Sequence, residues 1–509
     1  MSSKPQNPTA QTGRSAPLFH NLAVLGLFLF AVFVPHSIAG AEISLAIAAI
    51  GWLGRTLVSR RTGLRRSKLD LPIWLFVLWT IGSALLSAEP RISLAKLQSV
   101  TVFLAFYFVQ AITTRRTAVL MVSLMILSGV AGTLFSIYDL ARGRGVVIAS
   151  IAPDSPFRKV VITPQNSEQI PSESQQTSLT SGDTVWRVGA ERVYSAQDID
   201  RVIKNSPAER LASVSVIRHG EHAEWPGFLV TEQMRQAASP SGITGRGSLH
   251  RFRASGWTKH YEYFAEILQI LSQLALGLGL ANFQNHGANR RFKLALMATA
   301  ILAFGIAFTA MRTVLVAFTI GGCVVVWRTA KRAASRFLIT AAIAFIFSFG
   351  VVVIWQTRAT HALSLQDDSA SLRLRVADVG SRRILIHPIF GHGMDAVKAH
   401  WNEWGFPGNE MIHLHSTPLQ LAFDRGLPAL FFWLWIMFLF WRLVTSGEFA
   451  TRDTGDTNRH GVLLGATGAL AGFFVSSLVN YNFGAGVVAL AFWWLMGIGL
   501  VLKGEARRE

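Results

Sequence analysis

The sequence predicts an all-α polytopic membrane protein of about twelve transmembrane helices, interrupted by one small α+β soluble insert. Three observations lead there. Hydrophobic residues make up 51% of the 509 and charged residues only 15%, with mean hydropathy +0.37, whereas a soluble domain carries about a quarter charged residues. That composition excludes a soluble enzyme. The apolar residues fall in runs of roughly 20, the length that crosses a bilayer. Between residues 145 and 230 the runs stop, and short alternating segments with turn residues take over.

In chain order the runs lie near 20–38, 41–58, 71–88, 95–112, 118–139, 260–281, 294–310, 313–327, 337–355, 418–441, 461–479 and 486–502. The chain divides accordingly into N-terminal membrane helices over 1–140, a soluble domain over 141–240, membrane helices over 241–355, an external loop over 356–417 and C-terminal membrane helices over 418–509. The first run follows Lys4 and Arg14, and Ala39-Gly40-Ala41 loosely matches a signal-peptidase site. Its apolar core, Leu18 to Val34, exceeds the roughly 7–15 residues of a signal peptide, so it reads as a retained first span.

The net charge of +19 invites a nucleic-acid partner. Its distribution argues against one, because the charges sit in short clusters between apolar runs rather than on one polar face. With the N-terminus in the cytoplasm, Arg55 to Lys68, Arg115/Arg116, Arg290 to Lys293, Arg328 to Arg336 and Lys503 to Arg508 all fall inside, as the positive-inside rule requires. Both termini are then cytoplasmic, and 141–259 and 356–417 are external. In a Gram-negative bacterium that places the protein in the inner membrane and these segments in the periplasm, where group transfer needs an already activated donor. The only cysteine, Cys323, lies in an apolar run, which leaves no intrachain disulfide or thiolate metal site.

In the insert, GVVIASIAPDSP gives a strand and a turn, SGDTVWRVGAERVYSAQDIDRVIKN gives strand, turn and a helix capped at Ser195, and LASVSVIRHGEHAEWPG closes with a strand. Ser155-Pro156, Gly182-Asp183, Val188-Gly189, Ser195 to Ile203 and Arg218-His219-Gly220 stand where a bacterial PDZ domain has its turns, helix and final strand. The insert resembles that family, apart from a polar insertion at 165–180 and the lack of a clear carboxylate-binding loop. A protein partner captured by strand addition and a docking module without ligand both remain open.

The second external loop carries Arg358, Arg373, Arg375, Arg382, Arg383 and Lys398, with His361, His387, His392, His400, His413 and His415. Exported loops normally avoid such charge. Either it is a solvated basic face drawn to acidic membrane lipids, or its guanidinium groups bind phosphate or pyrophosphate. Thr417-Pro418-Leu419-Gln420 reads as a helix start, with Thr417 as N-cap and Gln420 closing a capping box. His415 then precedes the positive end of a helix, which disfavours imidazolium and suits a general base; a capping or interfacial histidine is the alternative. Asp424 and Arg425 fall two turns into the following run, where an ionisable pair is functional or mutually paired. His413 and His415 share one side if extended, but nearby carboxylates are too few for a metal site. Glu262 and Glu266 share a helical face and are expected to pair with Lys259 and neighbouring arginines.

His415-Ser416, nine residues, then Gly426-Leu427-Pro428-Ala429 resembles the signature of the O-antigen ligase and polymerase superfamily, with Ala429 for its last Gly and Asp424 for its usual Glu. HPIFGHGMDAV at 387–397 is similar to that family's His-Pro turn. SLRLRVADVGSRRILI is similar to its Arg-bearing external helix, with Ala377 for the usual Trp. AFTAMRTVLVAF at 307–318 and RFRASGWTKHYEYFAEILQIL at 251–271 match two further segments. The resemblance implies metal-independent, cofactor-free transfer of a glycan from undecaprenyl pyrophosphate to an acceptor hydroxyl on the external face. It implies His415 as catalytic base, Arg312, Arg373 or Arg375, and Arg253 as pyrophosphate ligands, and His413, Asp424 and Arg425 in support. The acceptor would be lipid A-core or another glycan. A polymerase or a protein O-oligosaccharyltransferase on the same fold, and a non-catalytic transporter or scaffold, are the rivals. A PDZ-bearing intramembrane protease lacks its His-Glu-x-x-His or paired-Asp motif.

Overall fold

The computed structural model describes residues 9–159, 163–164, 179–209, 211–218, 221–250, 252–258, 260–329, 340, 347, 352, 368–408, 411, 413–446, 456–484 and 486–504. Among the described residues nine helices are long and apolar enough to cross a membrane, and Asp70–Leu86 and Leu97–Ile112 are shorter apolar helices. The protein is a helical, multi-pass membrane protein by that measure. The span expected at 337–355, the insertion at 165–178, Lys259, Arg358 and His361 lie outside the described residues.

The bundle is built around α9 (Tyr261–His286), α16 (Thr457–Ser477) and α17 (Gly486–Lys503), which are buried on nearly all sides. In lipid, helix pairs gain by close packing over small residues rather than by hydrophobic burial. A Cβ on Gly277 of α9 would stand 2.3 Å from Gly465 N of α16, so these two backbones touch. Around this centre stand α1 (Thr9–Phe33), α2 (Ile38–Ser59), α3 (Asp70–Leu86), α6 (Arg115–Arg142), α10 (Arg290–Phe308), α11 (Arg312–Thr329) and α15 (Leu427–Thr445). Several of them turn large apolar side chains outward, among them Leu57, Leu127 and Phe431.

Two expected spans are broken. The run at 95–112 divides into α4 (Pro90–Ala95), a 3-10 turn at Leu97–Phe103 and α5 (Leu104–Ile112). The run at 418–441 is not continuous either: α14 (Thr417–Arg425) stops at Gly426, and α15 starts at Leu427 with Pro428 in its first turn. Gly426 has φ +81°, a backbone only glycine takes readily. Asp424 and Arg425 therefore end a short helix instead of lying inside a span.

The insert folds as a seven-stranded antiparallel sheet in the order β2-β6-β5-β3-β1-β7, with β4 on β3. Here β1 is Val146–Ile151, β2 Thr163–Pro164, β3 Thr184–Val188, β4 Glu191–Arg192, β5 Leu211–Arg218, β6 Glu221–Leu229 and β7 Ile243–Gly245. Its helix α7 (Ala196–Asn205) starts at Ser195, which forms a reciprocal capping box with Asp198. The sheet is fastened to α6 by buried Asp139, which accepts from Arg144 Nε at 3.0 Å and lies 3.4 Å from Arg192 Nη1.

The loops gather at two ends of the bundle. At one end Arg55 bonds Thr62 O and Ala111 O, Arg328 bonds Thr445 O, and Arg459 bonds Leu502 O. At the other, segments 87–89 and 391–392 meet through Glu89 N to His392 O at 3.0 Å. Thr417 N reaches Asn480 O at 3.2 Å, and Ala254 N reaches Phe308 O at 2.9 Å.

Candidate active site

The short helix α14 organises the second end. Ser416, not Thr417, is its N-cap, accepting from Leu419 N. The expected capping box does not form, because Gln420 reaches past the cap: its Oε1 accepts from Leu414 N at 2.7 Å, and its Nε2 donates to Asp424 Oδ1 at 2.8 Å. That grip holds the 413–416 turn, where His415 has φ +53°. At the far end of α14 the terminal carbonyls, which a helix leaves without partners, are met by the 387–393 turn. His392 N donates to Phe423 O at 2.7 Å, Gly393 N to Asp424 O at 3.0 Å, and Trp79 Nε1 to Arg425 O at 2.9 Å.

His415 and His413 meet edge to face, with ring centroids 4.4 Å apart. Both border a cavity of about 630 Å³ whose wall also includes Glu262, Glu266, Asp424 and Arg425. Burial pushes the His415 imidazole down to about 2, with His413 and Arg373 adding to the effect. The ring is neutral at any working pH. Burial likewise pushes the Asp424 carboxyl up to about 7, against the pull of Arg425 and the Gln420 hydrogen bond.

A polar chain runs from this turn into the bundle. Thr417 Oγ1 donates to Asn480 O and lies 3.1 Å from Asn482 Oδ1. Asn480 Nδ2 is within 3.1 Å of Glu266 Oε1 and 3.0 Å of Thr313 Oγ1, and the Ser476 hydroxyl also donates to Glu266. Glu266 is thus held by an amide and a hydroxyl; the expected arginine or Lys259 partner is not what the described contacts give it.

The four arginines singled out in the sequence occupy different places. Arg373 lies on α12 (Asp368–Ile384), whose Val376 and Gly380 pack towards Leu414, and it acts electrostatically on His415. Arg375 is exposed. Residues two apart on a helix point about 200° away from each other, so one of the pair faces the histidines and the other does not. Arg312 opens α11 half-buried, beside Thr313 of the polar chain and just after Ala310 at φ +55°. Arg253 is buried, with its guanidinium 4.3 Å from the Tyr261 ring centroid. Neither it, Arg312 nor Arg373 borders the cavity; Arg425 does. Among the described residues no group of three or more His, Cys, Asp or Glu is placed to hold a metal.

Residues 297–434 match a family model described as O-antigen ligase. The chain carries an O-antigen ligase domain. Arg312, Arg373, Arg375, His413, His415, Asp424 and Arg425 all lie in the matched segment, whereas Glu266 on α9 and the loop residues Arg253 and Asn480 lie outside it. Comparison with curated proteins gave no match. Asn480, Asn482, Tyr481 and the bridging role of Gln420 were missed from sequence. The available signal was the string Asn480-Tyr481-Asn482, polar groups in a short connection between two spans on the side of the motifs.

Proposed function

We propose that this ligase-family protein is a glycosyltransferase that moves a glycan from undecaprenyl pyrophosphate to an acceptor hydroxyl, lipid A-core or another glycan, at the periplasmic face of the bacterial inner membrane. The observation that carries this reading is a neutral, cavity-facing His415 beside Arg373 within an O-antigen ligase domain. The acceptor oxygen attacks the anomeric carbon, and the bond from that carbon to the pyrophosphate oxygen breaks with its electron pair leaving on undecaprenyl pyrophosphate. The hydroxyl proton passes to the free imidazole nitrogen of His415, whose basicity rises when the anionic pyrophosphate offsets the burial and the Arg373 charge that depress it. Arg373 and Arg312 stabilise the charge that develops on the leaving group, with Arg253 as a further ligand, and these side chains do the work without a metal ion. The strand and helix order of the sheet domain supports a PDZ-like docking module for a protein partner.

The test is transfer by purified protein from lipid-linked glycan to a lipid A-core acceptor. His415→Asn keeps a residue type that tolerates positive φ and should lower the rate roughly 10²–10⁴-fold with normal protein yield. Arg373→Gln should raise the donor KM. Wild-type rates in the His415 variant would remove the general-base role, and a product made only of longer lipid-linked chains would make the protein a polymerase.

A further inference from the structure

We propose that Arg425 and the Tyr481 hydroxyl form a second anion subsite in the His415 cavity, one that takes a phosphate or carboxylate carried by the acceptor glycan. The proposal rests on the transferase reading above. Arg425 is only 7% exposed, its guanidinium lies 5.5 Å from the Phe76 ring, and its Nε has no hydrogen-bond partner. No ion pair joins it to any described residue. The adjacent carboxyl, Asp424, is turned to Gln420 Nε2 at 2.8 Å. The C-terminal dipole of α14 offsets part of the positive charge but offers no acceptor, since the Arg425 carbonyl is taken by Trp79.

A buried guanidinium without a full counter-charge costs several kcal/mol, and Asp424, whose carboxyl burial pushes up to about 7, supplies only part of it. Such a guanidinium is retained where a ligand supplies that charge, and its planar fork matches phosphate and carboxylate oxygens. Tyr481 shares the cavity wall and lies within electrostatic reach of Arg425. Its hydroxyl is a further donor on that wall.

The anion belongs to the acceptor because of where the arginines stand. Arg425 and Tyr481 border the same cavity as His413 and His415. The arginines assigned to the donor lie outside the cavity wall. The volume of about 630 Å³ is within the range of ligand pockets.

The probe is pentamannose bearing a terminal 6-phosphate, compared with the same sugar after phosphatase treatment, in equilibrium binding to the detergent-purified full chain. The wild type should bind the phosphorylated form at least about tenfold more tightly, the scale of one charge-assisted contact. Arg425→Gln should bring the two to parity, and Arg425→Lys should retain part of the difference. Tyr481→Phe, a smaller change in the fold, should also narrow it. Equal binding by the wild type, or a preference that survives in Arg425→Gln, overturns the proposal. Binding of the lipid-linked donor is measured in parallel; a tenfold loss there in Arg425→Gln would assign the anion to the donor and overturn the acceptor assignment. A protein that prefers the phosphorylated sugar yet transfers no glycan would refute the transferase reading and leave the subsite standing.

Discussion

His415 carries two costs at one position. Its left-handed backbone costs roughly 1–2 kcal/mol, and its ring is buried in a form that resists protonation. Both are sustained by neighbours, the Gln420 grip on Leu414 N and the Ser416 cap, and strain held in place this way at a cavity wall accords with the role proposed for His415. Because the imidazole is held near 2, it does not titrate between pH 5 and 8. Asp424 does. Its carboxyl moves from an ordinary 3.8 to about 7 on burial, so it costs nothing below pH 3.8, where both states hold the proton. As pH rises from there the unfolded chain ionises first and stability falls, the loss being complete above about 7. Asp424→Asn cannot ionise and keeps an acceptor for Gln420. It should melt above wild type at pH 8 and level with it at pH 4, with a difference of at most about 4 kcal/mol by linkage. Equal melting temperatures at pH 8 would show that Asp424 is charged without penalty.

At the scale of elements, the break at Gly426 gives the site its shape. A Cβ there would stand 1.8 Å from Ile389 O, and one on Gly391 2.5 Å from Arg425 N, so the 387–393 turn closes on the end of α14 only because both positions lack a side chain. Gly426→Ala should cost about 3 kcal/mol or more, from the left-handed backbone and overpacking together. It should also displace Arg425, since Leu427 N bonds Pro388 O at 2.8 Å across the same contact. Melting in detergent and binding of the phosphorylated pentamannose check the two parts, and wild-type values for both would place the break elsewhere. The sequence held half of this. The spacing from His415 to Gly426 and the Thr417-Pro418 start were legible because helix ends have local chemistry. The break was not, because Leu421-Ala422-Phe423 and Leu427 continue the apolar pattern across it. Glu266 and Asn480 are joined over 214 residues, and no local pattern announces such a pair.

The whole molecule is ordered by charge. Arg55, Arg328 and Arg459 bond carbonyls at one end of the bundle, while His415, Arg312 and Arg373 stand with the loops at the other. Under the proposed reading, in which Lys and Arg stay on the cytoplasmic side, the first end would face inward, and the basic helix Asp368–Ile384 would be the exception, fitted to an anionic substrate. The sheet domain joins the second end through Asp139, Arg144 and Phe252, whose ring lies 4.2 Å from the Arg144 guanidinium, immediately before Arg253. Cysteine accessibility tests this division. Cys323, half-buried in α11, is first replaced by Ser. Single cysteines are then placed at the exposed positions Ser181, Asn402 and Ala288. A membrane-impermeant maleimide that has passed only the outer membrane should label the first two, and Ala288→Cys only after the inner membrane is opened. Labelling of Ala288→Cys in sealed cells would invert the orientation. It would place His415 where no lipid-linked donor waits, and the transferase reading would fall with it.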